Sequence, residues 1–306
     1  MKTFEQFTEE IVMKIKEFLP ENFANAQVEI HSVIKNNDLK LTGLTIHNAD
    51  SNICPTIYLN DYYNDYKSGE EMNSILTKIA DVRVRKDIKN VFDVNDITVF
   101  DNVKNKIIPR LVNKEWNKNL LKERPHKVIA GDLAVTYHVI ISQNLDGVAS
   151  TAITYALMEK WEANTDILHE AALRNMTELF PSTFRSITSV LEEMKGNFEE
   201  PSQDDGMYVL SNKQKFNGSS ALLDKEIMQK IVDRFGENFY ILPSSVHECI
   251  IVAVPEDMNI KISEISEMIK QINAMEVEPD IRLSDHPYKY TVEGGLFSVG
   301  GERNDE

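Results

Sequence analysis

The longest uninterrupted apolar stretch in this chain is Cys249-Ile250-Ile251-Val252-Ala253-Val254, six residues. A helix that spans a bilayer needs about 20, so that architecture is excluded, and six apolar residues between polar neighbours is the length of a buried strand. Elsewhere the apolar residues are spaced, either at helical period or in alternation. Such a chain folds by packing amphipathic helices on short strands. The expected fold class is α+β, with mixed, largely antiparallel sheets and amphipathic helices packed on them.

Thr3-x-x-Gln6 is a capping box, and Phe4, Phe7, Ile11, Val12, Ile15, Phe18 and Leu19 continue it as one helical stripe that Pro20 ends. Val28, Ile30, Ser32 and Ile34 alternate up to Asn36-Asn37-Asp38, and Leu39 and Leu41 resume the alternation, which predicts a β-hairpin. Residues 55–59 read as a third strand, 61–69 as a Tyr-rich bend, and Met72, Ile75, Leu76 and Ile79 as a second helix. Short strands are expected at 97–100 and 132–142, with a turn at 144–147 and helices over 153–161 and 166–180. After residue 206 the pattern gives a strand at 207–211, helices at 222–235 and 262–275, and strands at 239–242 and 248–254. The tail 287–299 adds one more strand. Residues 195–206 (KGNFEEPSQDDG) are polar and acidic, with Gly and Pro, as a linker would be. Two domains are therefore expected, an N-terminal α+β region over 1–195 and a C-terminal α+β domain over 207–306.

Charge is unevenly distributed. The net charge is −16, but residues 1–150 carry 19 basic against 21 acidic residues and residues 151–306 carry 14 against 28. Against that trend, residues 104–127 hold eight basic and two acidic residues. Pro109 suits the first turn of a helix, so a basic helix is expected over 109–123, with Arg110, Lys114, Lys118 and Lys122 as a stripe for an anionic partner. A chain this acidic repels phosphates overall, so direct nucleic-acid binding is not expected. The paired acids Glu192-Glu193, Glu199-Glu200 and Asp204-Asp205 leave open an acidic mimic of nucleic acid.

Metal and cofactor motifs are missing. The two cysteines, Cys54 and Cys249, form no C-x-x-C pair, no His-x-His occurs, and the phosphate- and dinucleotide-binding glycine motifs do not occur. No metal and no cofactor are expected. The densest polar cluster is Pro243-Ser244-Ser245-Val246-His247-Glu248, between two apolar runs, with Arg282, Asp285 and His286 as candidate neighbours. Ser244, Ser245, His247, Glu248 and Asp285 are the residue types of a nucleophile, a base and an orienting carboxylate. The same residues also suit an ordinary strand connection. Glu5, Glu9 and Glu10 do not suit a secretory leader, so a cytoplasmic location is expected.

The stretches MYVLSN at 207–212, ILPSSVHE at 241–248, NAMEV at 273–277 and LSDHPYKY at 283–290 resemble an uncharacterised bacterial family of unknown function, associated with anaerobic Gram-positive bacteria. PTIYLNDYYNDYKSG at 55–69, RLVNKEWNKNLL at 110–121, GDLAVTYHV at 131–139 and AALRN at 171–175 are similar too, so the resemblance covers nearly the whole chain. It implies a bacterial, cytoplasmic origin and transfers no activity. The first functional reading is a non-enzymatic interaction or accessory protein with a protein partner and no membrane. A hydrolase-like enzyme working near Ser245, His247 and Glu248 is the second, and the nucleic-acid mimic is the third.

Overall fold

A computed structural model describes residues 1–48, 54–85, 96–144, 147–196, 206–237, 239–254 and 261–299. The chain divides into two compact units, one of residues 1–35 and 39–97, the other of residues 36–38 and 98–306.

The first unit begins with helix α1 (Phe4–Lys14), capped as its sequence requires: Thr3 Oγ1 accepts from Gln6 N, and Gln6 Oε1 accepts from Thr3 N. Strands β1 (Gln27–Ile34) and β2 (Lys40–His47) form the expected hairpin, and β3 (Thr56–Tyr58) pairs with β2 to complete an antiparallel sheet. Helices α2 (Leu59–Lys67) and α3 (Met72–Arg85) follow. The Tyr-rich bend is thus a helix. Tyrosine and asparagine are middling helix formers, but Tyr63 and Tyr66, three residues apart, both pack on the Phe7 ring at 5.2 and 5.4 Å between centroids. Tertiary packing overrides local propensity there. Phe7, Ile11, Leu44, Ile46, Ile75 and Ile79 form the core, all fully enclosed.

The strand expected at 97–100 does not form: a 3-10 turn covers Asp96–Thr98, and the first helix of the second unit is the short α4 (Phe100–Val103). Next come β4 (Ile107–Asn113), β5 (His126–Ala130), β6 (Leu133–Asn144) and β7 (Gly147–Ala152), which make a four-stranded antiparallel sheet with β6 bonded to the other three. The expected basic helix over 109–123 is therefore not a helix. Ile107, Ile108, Leu111 and Val112 are buried on both faces of β4, and β-branched residues on consecutive positions favour a strand. Pro109 is tolerated because β4 is an edge strand, where a missing N–H breaks no ladder bond. The four-residue recurrence of Lys and Arg carries no helical meaning here.

Helices α5 (Tyr155–Lys160) and α6 (Thr165–Leu179) match expectation, α6 capped by Asn164 Oδ1 on Ile167 N at 2.9 Å. Then follow β8 (Ser182–Ser186), α7 (Ile187–Met194), β9 (Met207–Asn212), α8 (Lys225–Phe235), β10 (Phe239–Ser245), β11 (Glu248–Ala253), α9 (Ile262–Glu276), β12 (Tyr288–Thr291) and β13 (Gly295–Ser298). The strands from β8 onward form one antiparallel sheet in the order β13-β12-β10-β11-β9-β8. Strand β8, from before residues 197–205, pairs with β9, from after them, Phe184 opposite Leu210. Residues 36–38 join this unit through their side chains. The Asp38 carboxylate accepts from Asn119 N and Leu120 N at 2.8 and 3.0 Å, and Asn37 Nδ2 donates to the carbonyls of Pro279 and Arg282 at 2.8 and 2.9 Å.

Candidate functional site

Strand β10 loses regular register after Leu242 and recovers it at Ser245, which pairs with Glu248 across a two-residue turn of Val246 and His247. The turn is buttressed by main-chain and hydroxyl bonds. Val246 N donates to Ile281 O at 2.8 Å, Ser219 Oγ donates to Val246 O at 2.8 Å, and Ser211 Oγ donates to His247 O at 2.7 Å. Gly218 permits this closeness: a Cβ there would stand 2.2 Å from both His247 O and Ser211 Oγ. Asn217 beside it takes a left-handed conformation with φ 50°, and residues 217–221 are all buried.

His247 is half-buried, and its Nδ1 accepts from the main-chain N–H of Asn217 at 3.3 Å. That bond fixes the proton on Nε2. Burial, with the positive charge of Arg110, holds the imidazole below its ordinary pKa, so the ring is neutral. Ser245 is buried, and its Oγ accepts from His247 N at 3.1 Å. Ser244 and Glu248 are half-buried. Asp285 accepts from Asn273 Nδ2 at 2.7 Å. Of the five residues singled out by composition, Ser245 and His247 come together through a main-chain bond. The ring of His247 meets neither a serine hydroxyl nor the Asp285 carboxylate among its hydrogen-bond partners.

The densest polar network lies elsewhere and centres on Asp132, in the bend between β5 and β6. Its Oδ2 accepts from Asn113 Nδ2 at 2.6 Å and from Ser284 Oγ at 3.1 Å. Its Oδ1 accepts from the Tyr288 hydroxyl and lies 3.0 Å from His286 Nε2. Burial alone would raise the Asp132 pKa, but the bonds from His286, Tyr288 and Asn113 outweigh it and hold the carboxyl below its usual range. Burial likewise pulls His286 down, and the paired carboxylate more than compensates, so its pKa is raised. The other ring nitrogen, Nδ1, faces Pro287 O at 3.2 Å. With an acceptor at each nitrogen, the ring is held as an imidazolium. Burial and the Asp132 charge push Tyr288 well above 10.0, so its hydroxyl stays a donor. Sequence reasoning noted His286 and missed Asp132, Asn113, Ser284 and Tyr288. The carboxylate is separated from its two aromatic partners by more than 150 residues, and no local spacing encodes that.

The basic residues separate. Arg110 lies on β4, half-buried. Lys114 and Lys118 flank Glu115, with Nζ 3.6 and 2.9 Å from its carboxylate, in a turn where Asn113 Oδ1 caps Glu115 N and Trp116 N at 2.9 and 3.1 Å. Lys122 Nζ donates to Asn119 Oδ1 at 3.0 Å. Of the paired acids, Glu192 and Glu193 are bonded to Lys195 and Arg185, and the other two pairs lie outside the described residues. Among the described residues no group of three His, Cys, Asp or Glu side chains is arranged to hold a metal ion, and both cysteines are unbridged. No described helix is long and apolar enough to cross a membrane.

These features define an antiparallel α+β protein with one polar network around a carboxylate and another around a strand connection. The chain belongs to a family of unknown function, DUF5688, whose model matches residues 4–292. No curated protein and no solved structure matches it.

Proposed function

We propose that this protein acts by binding, as a non-enzymatic interaction or accessory protein of the bacterial cytoplasm with a protein partner. The observation that carries this reading is the commitment of the imidazoles at both polar clusters. A general base needs an unprotonated ring nitrogen within reach of the proton it removes. His247 spends its lone pair on Asn217 N–H, and His286 is closed at both nitrogens by Asp132 and Pro287 O. The hydroxyls nearby are bonded to the main chain: Ser245 Oγ accepts from an N–H and Ser211 Oγ donates to a carbonyl. These groups hold the fold in place, and the surface is left to recognise a partner.

The test is a panel of chromogenic carboxyl and phosphate esters offered to wild type, Ser245→Ala and His247→Ala. The reading expects the same background turnover from all three. Turnover by wild type that both variants lose, with an unchanged urea midpoint, would establish the hydrolase alternative instead.

A further inference from the structure

We propose that Arg110, Arg124 and His138 line a recessed site for a phosphate-type oxyanion. The register of the four-stranded sheet places these groups. Arg110 on β4 and His126 on β5 both pair with Thr136 on β6, from opposite sides, and His138 lies two residues further along β6. Directly paired residues share a face and alternate residues share a face. Arg110, Thr136, His126 and His138 therefore all project from one side of the sheet. Arg124 enters just before β5, its carbonyl 2.9 Å from His126 Nδ1.

What distinguishes this cluster is the donors left over. The Nε of Arg110 and the Nε2 of His138 are enclosed, and neither has a hydrogen-bond partner among the described residues. His138 is only 5% exposed, with its other nitrogen 3.4 Å from Ser150 Oγ. Thr136 Oγ1 donates to the carbonyl of Arg110 at 3.2 Å. Neither guanidinium forms an ion pair among the described residues. Asp280 lies within electrostatic range of Arg110 and Glu123 within range of Arg124.

The electrostatics agree. Burial and then the Arg124 charge bring Arg110 down to about 10, and burial with the two arginines keeps His138 neutral. His247 feels the same Arg110 charge. A chain of net charge −16 thus keeps two half-buried arginines within electrostatic range of each other, with no carboxylate bonded to either among the described residues. An oxyanion supplies the missing acceptor for Arg110 Nε–H and, with the His138 proton on Nε2, a second one there, and its charge offsets the repulsion between the arginines. A tetrahedral anion suits donors carried on one face by adjacent strands, because its oxygens do not lie in one plane.

The experiment is isothermal titration of the full chain with inorganic phosphate and, separately, with glycerol phosphate, at constant ionic strength set by chloride. Wild type is compared with Arg110→Met and Arg124→Met. Saturable binding, at least tenfold weaker in either variant, supports the site. Tighter binding of glycerol phosphate identifies an organic phosphate as the natural occupant, and tighter binding of the inorganic ion identifies free phosphate. If Arg110→Met does not fold, Arg124→Met decides, since that guanidinium is less enclosed. No binding of either compound by wild type, or binding that the variants leave unchanged, overturns the proposal.

Discussion

Replacing Asp132 by Asn tests whether the Asp132–His286–Tyr288 network is a stability element. The carboxylate accepts four side-chain donors, and three of their residues, Asn113, Ser284 and Tyr288, are at most 1% exposed. An amide keeps one acceptor oxygen and turns an NH2 toward groups that already donate, so buried donors lose their partner at about 1–3 kcal/mol each. His286 also loses the anion that holds it charged. Breaking one side of a buried pair costs about 3–5 kcal/mol, and we expect a loss in that range. At about 2–4 °C per kcal/mol for a unit of this size, the thermal transition falls by about 6–20 °C.

The assay is urea unfolding followed by tryptophan fluorescence. Both tryptophans, Trp116 and Trp161, belong to the second unit, so the signal reports the unit that contains Asp132. The pH profile supplies a second readout. Asp132 has a lowered folded pKa, so its contribution is fully present above the ordinary 3.8 and is lost as pH falls through the folded value. His286 has a raised folded pKa, so its contribution is fully present below the ordinary 6.5 and is lost as pH rises through the folded value. Wild type is therefore most stable between those limits and weakens on the alkaline side, and Asp132→Asn flattens both flanks. A variant within 1 kcal/mol of wild type, with the same pH profile, would refute the reasoning.

Two further outcomes follow from single positions. Gly218→Ala places a methyl carbon where His247 O and Ser211 Oγ leave 2.2 Å. The strand connection must shift, and a loss of at least about 2–3 kcal/mol in the same urea assay is expected; wild-type stability would show that the turn gives way freely. Lys114→Glu with Lys118→Glu is expected to leave duplex DNA retention at its background level, because both lysines already face Glu115 and the whole chain is acidic. Steeply salt-dependent duplex binding by wild type, abolished in the double variant, would contradict that.

Local signals in the sequence suffice where one element decides its own structure. The Thr3 capping box, the hairpin around Asn36-Asn37-Asp38 and the strand pair expected at 239–242 and 248–254 all stand as their spacing implies. Such signals mislead where period and packing disagree. The lysines every fourth residue after Arg110 mimic a helix, while Ile107, Ile108 and Val112 are the residues that decide, and they choose a strand. Strand β8, Ser182–Ser186, escaped because it is an edge strand with only Phe184 as a large apolar residue. At the site, the composition of ILPSSVHE suits a catalytic cluster and a strand connection alike, and it does not name the partners of its residues. Gly218, Ser219 and Ser211 come from other segments, and Asp132 finds His286 and Tyr288 across the sequence. Single-sequence patterns hold no information about such pairings.

The distance along the chain between Asp132 and Tyr288, 156 residues, also bears on the order of assembly. During synthesis the sheet of β4 to β7 has all its strands once residue 152 has emerged. Ser284, His286 and Tyr288 come later, after strands β8 to β11 and helix α9. Until then Asp132 has Asn113 as a side-chain donor but lacks the other three, and its charge depends on water for solvation. The nascent sheet therefore keeps that corner hydrated, and closing it is one of the last folding events. Closure of this corner is long-range and slow in the sense that contact order measures, and it is available only to a chain that has reached Tyr288.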